Sequence, residues 1–147
     1  MALVKHLLER KGKVVWSIPS STTVLEALKI LEKHDIGAMP VVDGDKLVGI
    51  LSERDLVRKM AGIGKVDFSA PIRDIMITNV YFVETNNSVE ECMKLMTTKH
   101  IRHLPVVEKQ KVVGVISIGD LVKEIIADRE STIISLENYI TGQHIVG

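Results

Sequence analysis

The sequence predicts an α/β fold of the α+β type: two tandem repeats flanked by short terminal helices. Three observations lead there. The chain matches itself without a gap when shifted by 65 positions. Each half reads as extended segment, helix, strand, strand, helix. Apolar residues, rich in Val, Ile and Leu, make up 46% of the 147 residues, enough for a sizeable aliphatic core.

Self-similarity at a fixed spacing is the signature of a duplicated unit. The shift places Pro40-Val41-Val42 on Pro105-Val106-Val107, Val48-Gly49 on Val113-Gly114, Ser52 on Ser117 and Asp55-Leu56-Val57 on Asp120-Leu121-Val122. With Val15, Val24, Glu26, Lys29, Ile36 and Lys46, there are 15 identities over positions 15–57. Many other pairs are conservative, such as Leu47 with Val112.

The elements follow in order. Residues before Gly12 read as a short amphipathic helix carrying Leu3, Leu7 and Leu8. Val14–Ile18 and Val80–Val83 are extended segments. Thr23 with Glu26, and Ser88 with Glu91, form capping boxes, in which hydroxyl and carboxylate satisfy free backbone N–H groups reciprocally. The helices that follow present Val24, Ala27, Leu28 and Leu31, and Val89, Cys92, Met93 and Met96, each on one face. Strands Ala38–Val42 and Leu47–Leu51 are joined by Asp43-Gly44-Asp45-Lys46, a tight-turn signal; Leu104–Val107 and Val112–Ile116 are joined by Glu108-Lys109-Gln110-Lys111. A second helix starts at Ser52 or Ser117. Beyond Asp120 the helical pattern runs through Ile140, as one long helix or two abutting ones, to Gly142. The expected organisation is an N-terminal helix (1–10), a first repeat (11–61), a linker (62–75) opening a turn at Pro71, a second repeat (76–128), and a C-terminal helix and tail (129–147).

Charge and cysteine content bound the function. Lys plus Arg equals Asp plus Glu, 19 each, so no general attraction to nucleic acid or an anionic membrane is expected. Cys92 is the only cysteine, so no internal disulfide forms; a buried thiol in a reducing compartment is the simple reading. No apolar run reaches the ~20 residues of a membrane span, and none at the N-terminus suits a signal peptide. A cytoplasmic protein is expected.

Taken together, Gly-Ile-Leu-Ser-Glu-Arg-Asp (49–55), Gly-Val-Ile-Ser-Ile-Gly-Asp (114–120), Ile-Gly-Ala-Met-Pro-Val-Val (36–42) and Ile-Arg-His-Leu-Pro-Val-Val (101–107) resemble the cystathionine-β-synthase (CBS) domain family, over roughly residues 11–128. The chain looks like its stand-alone bacterial members. The resemblance implies one pseudo-two-fold module with two clefts between the halves, which binds AMP, ADP, ATP, NAD or S-adenosylmethionine and often dimerises. It implies a regulatory sensor rather than an enzyme, with no catalytic cofactor.

Carried over residue by residue, the resemblance implies that Ser52 and Ser117 approach phosphate or ribose. Asp55 and Asp120 would accept hydrogen bonds from ribose hydroxyls, work that suits an ionised carboxylate. On spacing alone, Ser-x-x-Asp at a helix start is equally a capping pattern. Arg102 and His103 would face phosphate. The first half departs from this pattern, with Gly37 and Ala38 there, and Arg54 is the candidate to compensate, since its counterpart is Gly119. The adenine wall would draw on Trp16, Ile36, Tyr81 and Ile101, for which core or dimer packing is the competing reading. Thr78 and Lys13 occupy matching positions at the entrances, Lys13 fitting the family pattern poorly. Two unequal clefts are expected, the one using Arg102 and His103 being better suited to a phosphate.

Other signals fall short. Gly62-Ile-Gly-Lys65 lacks the rest of a phosphate loop, Asp43-Gly-Asp45 lacks the later ligands of a calcium loop, and His6, His34, His100, His103 and His144 lack zinc spacing. No serine, histidine and carboxylate set suggests a triad. The competing function is a protein-interaction adaptor using the apolar faces of the terminal helices, with an unidentified regulated protein as its partner.

Overall fold

Both capping boxes form. Thr23 Oγ1 accepts from Glu26 N–H at 3.2 Å while Glu26 accepts from Thr23 N–H at 3.3 Å, starting a helix over Val24–Lys33; Ser88 and Glu91 repeat the exchange at 3.1 and 3.3 Å to start Val89–Lys99. Such a cap contributes roughly 1 kcal/mol. In this computed structural model, residues 2–12 and 14–141 are described, with side chains through 130 and at 133. Lys13 and Gly142 therefore lie outside the described residues.

In chain order the elements are α1 (Val4–Lys11), α2 (Val24–Lys33), β1 (Ala38–Asp43), β2 (Lys46–Ser52), α3 (Glu53–Ile63), a 3-10 turn (Ile72–Asp74), β3 (Val83–Glu84), α4 (Val89–Lys99), β4 (His103–Glu108), β5 (Lys111–Ser117) and α5 (Ile118–Thr141). The fold is mixed α and β, as expected. β1 pairs antiparallel with β2, and β4 with β5, each with a register shift at the same relative place, Val41/Val42 and Val106/Val107. The last helix is single.

The extended segments are shorter than expected. Only Ile18 bridges β1, at Val41, and only Val83–Glu84 pairs with β4. Ladder formation needs a neighbouring backbone, and the apolar residues just upstream make other contacts: Val80 and Tyr81 line a cavity, and Trp16 stacks on His34.

The duplication extends to the interior. One core holds Ile18, Val24, Ala27, Leu31, Met39, Val41, Leu51 and Leu56; the other holds Val83, Val89, Cys92, Met96, Leu104, Val106, Ile116 and Leu121, each exactly matched to a partner 65 positions away. Each core is completed by an arm from the other side of the chain. Ile72 and Ile75, which precede the second repeat, pack into the first core; Val4 and Leu7 of α1, which precede the first repeat, pack into the second. The arms match at a shift of 68: Pro71 bridges Thr23 as Leu3 bridges Ser88, and Met76 lies against Gly49 as Leu8 lies against Gly114. The apolar face of α1 is thus covered by its own chain, which removes one of the two motives for an adaptor. The segment expected as linker is partly core.

Candidate functional site

The two repeats meet at the ends of their hairpins. Gly37 carbonyl accepts from Glu53 N–H at 3.0 Å, and its counterpart Arg102 carbonyl accepts from Ile118 N–H at 2.8 Å. Gly37 lies against the His103 ring: a β-carbon there would stand 3.2 Å from Nε2. Here the chain encloses a cavity of about 660 Å³, within the usual range of small-molecule sites, roughly 300–1,000 Å³.

Its walls come from both halves. Ser52, Arg54 and Asp55 arrive from the start of α3, where Ser52 caps the helix: its Oγ accepts from Asp55 N–H at 3.1 Å and donates to Asp55 Oδ2 at 2.8 Å. Tyr81, Ile101, Arg102 and His103 come from the second repeat, and Gly37 from the first. The structure therefore joins the Ser/Asp motif of one repeat to the basic pair and apolar wall of the other. Arg54 does not make good a missing charge in a separate cleft; it lines the same cavity as Arg102. Arg58, one helical turn beyond Arg54, adds a third guanidinium, and His100 a second imidazole, against the carboxylates of Glu53 and Asp55. The wall is cationic in balance and suited to an anionic group.

His103 sits at the seam. Burial holds its imidazole below the usual value of 6.5, helped by Lys11 and Arg102 and opposed by Asp120 and Glu53. It is neutral and able to take a proton when an anion arrives.

The other expected residues do not line this cavity. Thr78 is exposed, between the lining residues Ile77 and Asn79. Ala38 is buried and paired with Ser52 across the hairpin. Ile36 packs beside the first core. Trp16 stacks on His34, ring centroids 3.5 Å apart and planes 13° apart; the matching pair is Tyr81 with Lys99, whose Nζ lies 5.2 Å from the ring centroid. Ser117 and Asp120 stand at the start of α5, where Ser117 Oγ accepts from Asp120 N–H at 3.1 Å and Asp120 accepts from Ser117 N–H at 2.8 Å. Asp120 also carries an ion pair with Lys11 at 2.7 Å. Among the described residues no cluster of three or more His, Cys, Asp or Glu could hold a metal, and no helix is long and apolar enough to cross a membrane.

The family model of the CBS domain matches twice, at residues 7–62 and 72–127. The chain belongs to the CBS-domain family. Among similar proteins, the CBS domain-containing protein YhcV of Bacillus subtilis is 33% identical over 107 residues, covering 73% of this chain and 76% of that protein. The CBS-domain containing protein ATU1752 of Agrobacterium tumefaciens, a solved structure, is 38% identical with a TM-score of 0.79, over 84% of this chain and 98% of that one. The CBS domain pair of protein MJ0100, solved with 5′-methylthioadenosine and S-adenosyl-L-methionine, is 30% identical with a TM-score of 0.77, over 87% of this chain and 98% of that one. A CBS pair is a regulatory module, generally not a catalytic one, and the cavity here lies between the two CBS repeats.

Proposed function

We propose that this CBS pair is a sensor of phosphorylated adenosine, taking AMP, ADP, ATP or NAD in the cavity between its repeats. One observation carries the reading: the cavity brings Asp55, whose carboxylate is hydrogen-bonded among the described residues only to Ser52, together with Tyr81 and Ile101 and with Arg54, Arg102 and His103. Asp55 would accept from the ribose hydroxyls, the apolar wall would hold adenine, and the cationic side would hold phosphate, with bidentate geometry available from either arginine. A sulfonium ligand such as S-adenosylmethionine would bring positive charge to this wall, so phosphate-bearing ligands are favoured. Ligand held by both repeats favours the arrangement that places both walls correctly, and only such unequal affinity can shift the module.

Calorimetry with AMP, ADP, ATP, NAD and S-adenosylmethionine tests the reading. Binding of at least one phosphorylated ligand, weakened about 10-fold or more by Asp55→Ala, is expected; loss of a charge-assisted hydrogen bond costs roughly 1.5–3 kcal/mol. No binding at millimolar concentration sinks it, and tighter binding of S-adenosylmethionine removes the phosphate part.

The same chain is proposed to act as a homodimer. Ile118, Val122, Ile126 and Ile133 are exposed along α5, spaced so that they form one stripe. A second copy is the simplest cover for it, and sedimentation of wild type against Val122→Asp checks this.

A further inference from the structure

The duplication supplies the Ser/Asp motif twice, but only one copy is open. In the first repeat, Ile50, Ser52 and Asp55 line the cavity, and among the described residues the Asp55 carboxylate is hydrogen-bonded only to Ser52. Their counterparts are Val115, Ser117 and Asp120. There the Lys11 ammonium donates to Val115 carbonyl at 2.7 Å and to Asp120 Oδ2 at 2.7 Å. We propose that Lys11 is a built-in occupant of the second cleft, seated where a ribose would be held, so that the chain offers one nucleotide site and keeps a second closed by its own N-terminal arm. This rests on the reading of Asp55 and Asp120 as ribose acceptors.

The difference between the halves has a local cause. Three residues beyond Met76 the first arm reaches Asn79, a neutral residue on the cavity wall; three beyond Leu8 the other arm reaches Lys11. In the first repeat the chain has become extended there, and Ile50 carbonyl accepts from Ile77 N–H at 3.0 Å. In the second, α1 continues as helix to Lys11, so no backbone N–H is offered and the lysine side chain satisfies Val115 instead. Burial raises the Asp120 carboxyl, but the Lys11 and Ser117 hydrogen bonds outweigh it and leave the group below its usual value. A neutral ribose must displace an ammonium already bound to a carboxylate.

The plug is tethered. Arg10 pairs with buried Glu124 at 2.9 Å, and Val4 and Leu7 anchor α1 in the core. Gly12, at φ +101, ends the helix just after Lys11. The lysine can therefore leave without undocking the arm.

Stoichiometry of ADP binding by equilibrium dialysis tests the proposal. Wild type should bind one ADP per chain, Lys11→Met two, and Lys11→Met/Asp120→Asn one; Lys11→Gln repeats the test if the methionine variant does not fold. Two equivalents in wild type, or one in both Lys11 variants, overturn the plug and leave the first cavity's reading intact. No ADP on wild type but one on Lys11→Met overturns that reading and keeps the plug; none on either removes both.

Discussion

A β-carbon on Gly37 would stand 3.2 Å from Nε2 of His103 and 3.4 Å from Oε1 of Glu53, so the first repeat makes room for the His103 ring of the second by having no side chain there. Both obstacles are ends of side chains and can yield. Gly37→Ala should therefore cost under about 1 kcal/mol of stability, within the usual range for substitutions that repack at a surface. It should weaken ADP binding about 3–10-fold by turning His103 from the cavity, a loss of roughly 1 kcal/mol. Calorimetry and thermal unfolding on the same preparation separate the two effects.

The proposed binding should depend on pH with a sign set by His103. Burial, its largest cause, holds the imidazole below 6.5, so the free protein carries it neutral at pH 7. Phosphate contact favours the imidazolium, and binding then takes up a proton. ADP affinity should rise as the pH falls from about 8 toward about 6.5, and His103→Ala should flatten that slope. Without ligand the linkage runs the other way. The unfolded chain binds the proton more readily, so the stability contributed by the neutral ring is present above 6.5 and is lost as the pH falls through and below it. Calorimetry in buffers of different ionisation enthalpy reads the proton uptake directly; equal uptake by wild type and His103→Ala would exclude the role.

The matched glycines 49 and 114 should not tolerate alanine equally. A β-carbon on Gly49 would meet Met76 Sδ at 2.6 Å and the Ile77 carbonyl at 3.0 Å, the latter a backbone atom paired with Ile50; on Gly114 the three nearest atoms would all belong to the Leu8 side chain, with Cδ2 at 2.6 Å. Gly49→Ala should cost about 1–3 kcal/mol, the usual range for overpacking. Gly114→Ala should cost less and show itself as faster amide exchange in residues 4–11. Denaturant midpoints and exchange rates check both.

Burial, with a smaller contribution from Glu91, pushes the Cys92 thiol from 9.0 up to about 11. In the folded protein it should resist iodoacetamide at pH 8 and react fully in denaturant, since the thiolate is the nucleophile. The unfolded thiol ionises first, so the stability tied to the neutral thiol is whole below 9.0 and is lost as the pH rises toward about 11. Native-state labelling as fast as labelling in denaturant would contradict this burial.

Local chemistry was the most legible part of the sequence. The capping boxes at Thr23 and Ser88 and the two hairpins need only near neighbours, and they form as expected. Long-range addresses were hidden. Leu3, Leu7 and Leu8 announce an apolar face but not its partner, and a gapless comparison at 65 cannot detect arms that repeat at 68. The partnership of Asp55 with Arg102 across the repeats depends on how the hairpins meet, which no motif encodes. Arg58 was within reach of reasoning, since four residues beyond Arg54 keeps it on one helix face. Lys11 had no such signal: a lysine at a helix C-terminus before glycine reads as an ordinary helix end.

The crossed arms carry a consequence for the molecule's ancestry and dissection. Cut in the connection after Gly64, each half would keep the arm that the other half needs and lack the one that fills its own core. A lone first half carries α1, built to the same spacing as the arm it lacks, so two copies can trade arms and rebuild the clasp. The covalent join between the repeats then acts as a concentrator rather than a scaffold, turning a reciprocal exchange between two molecules into an event within one.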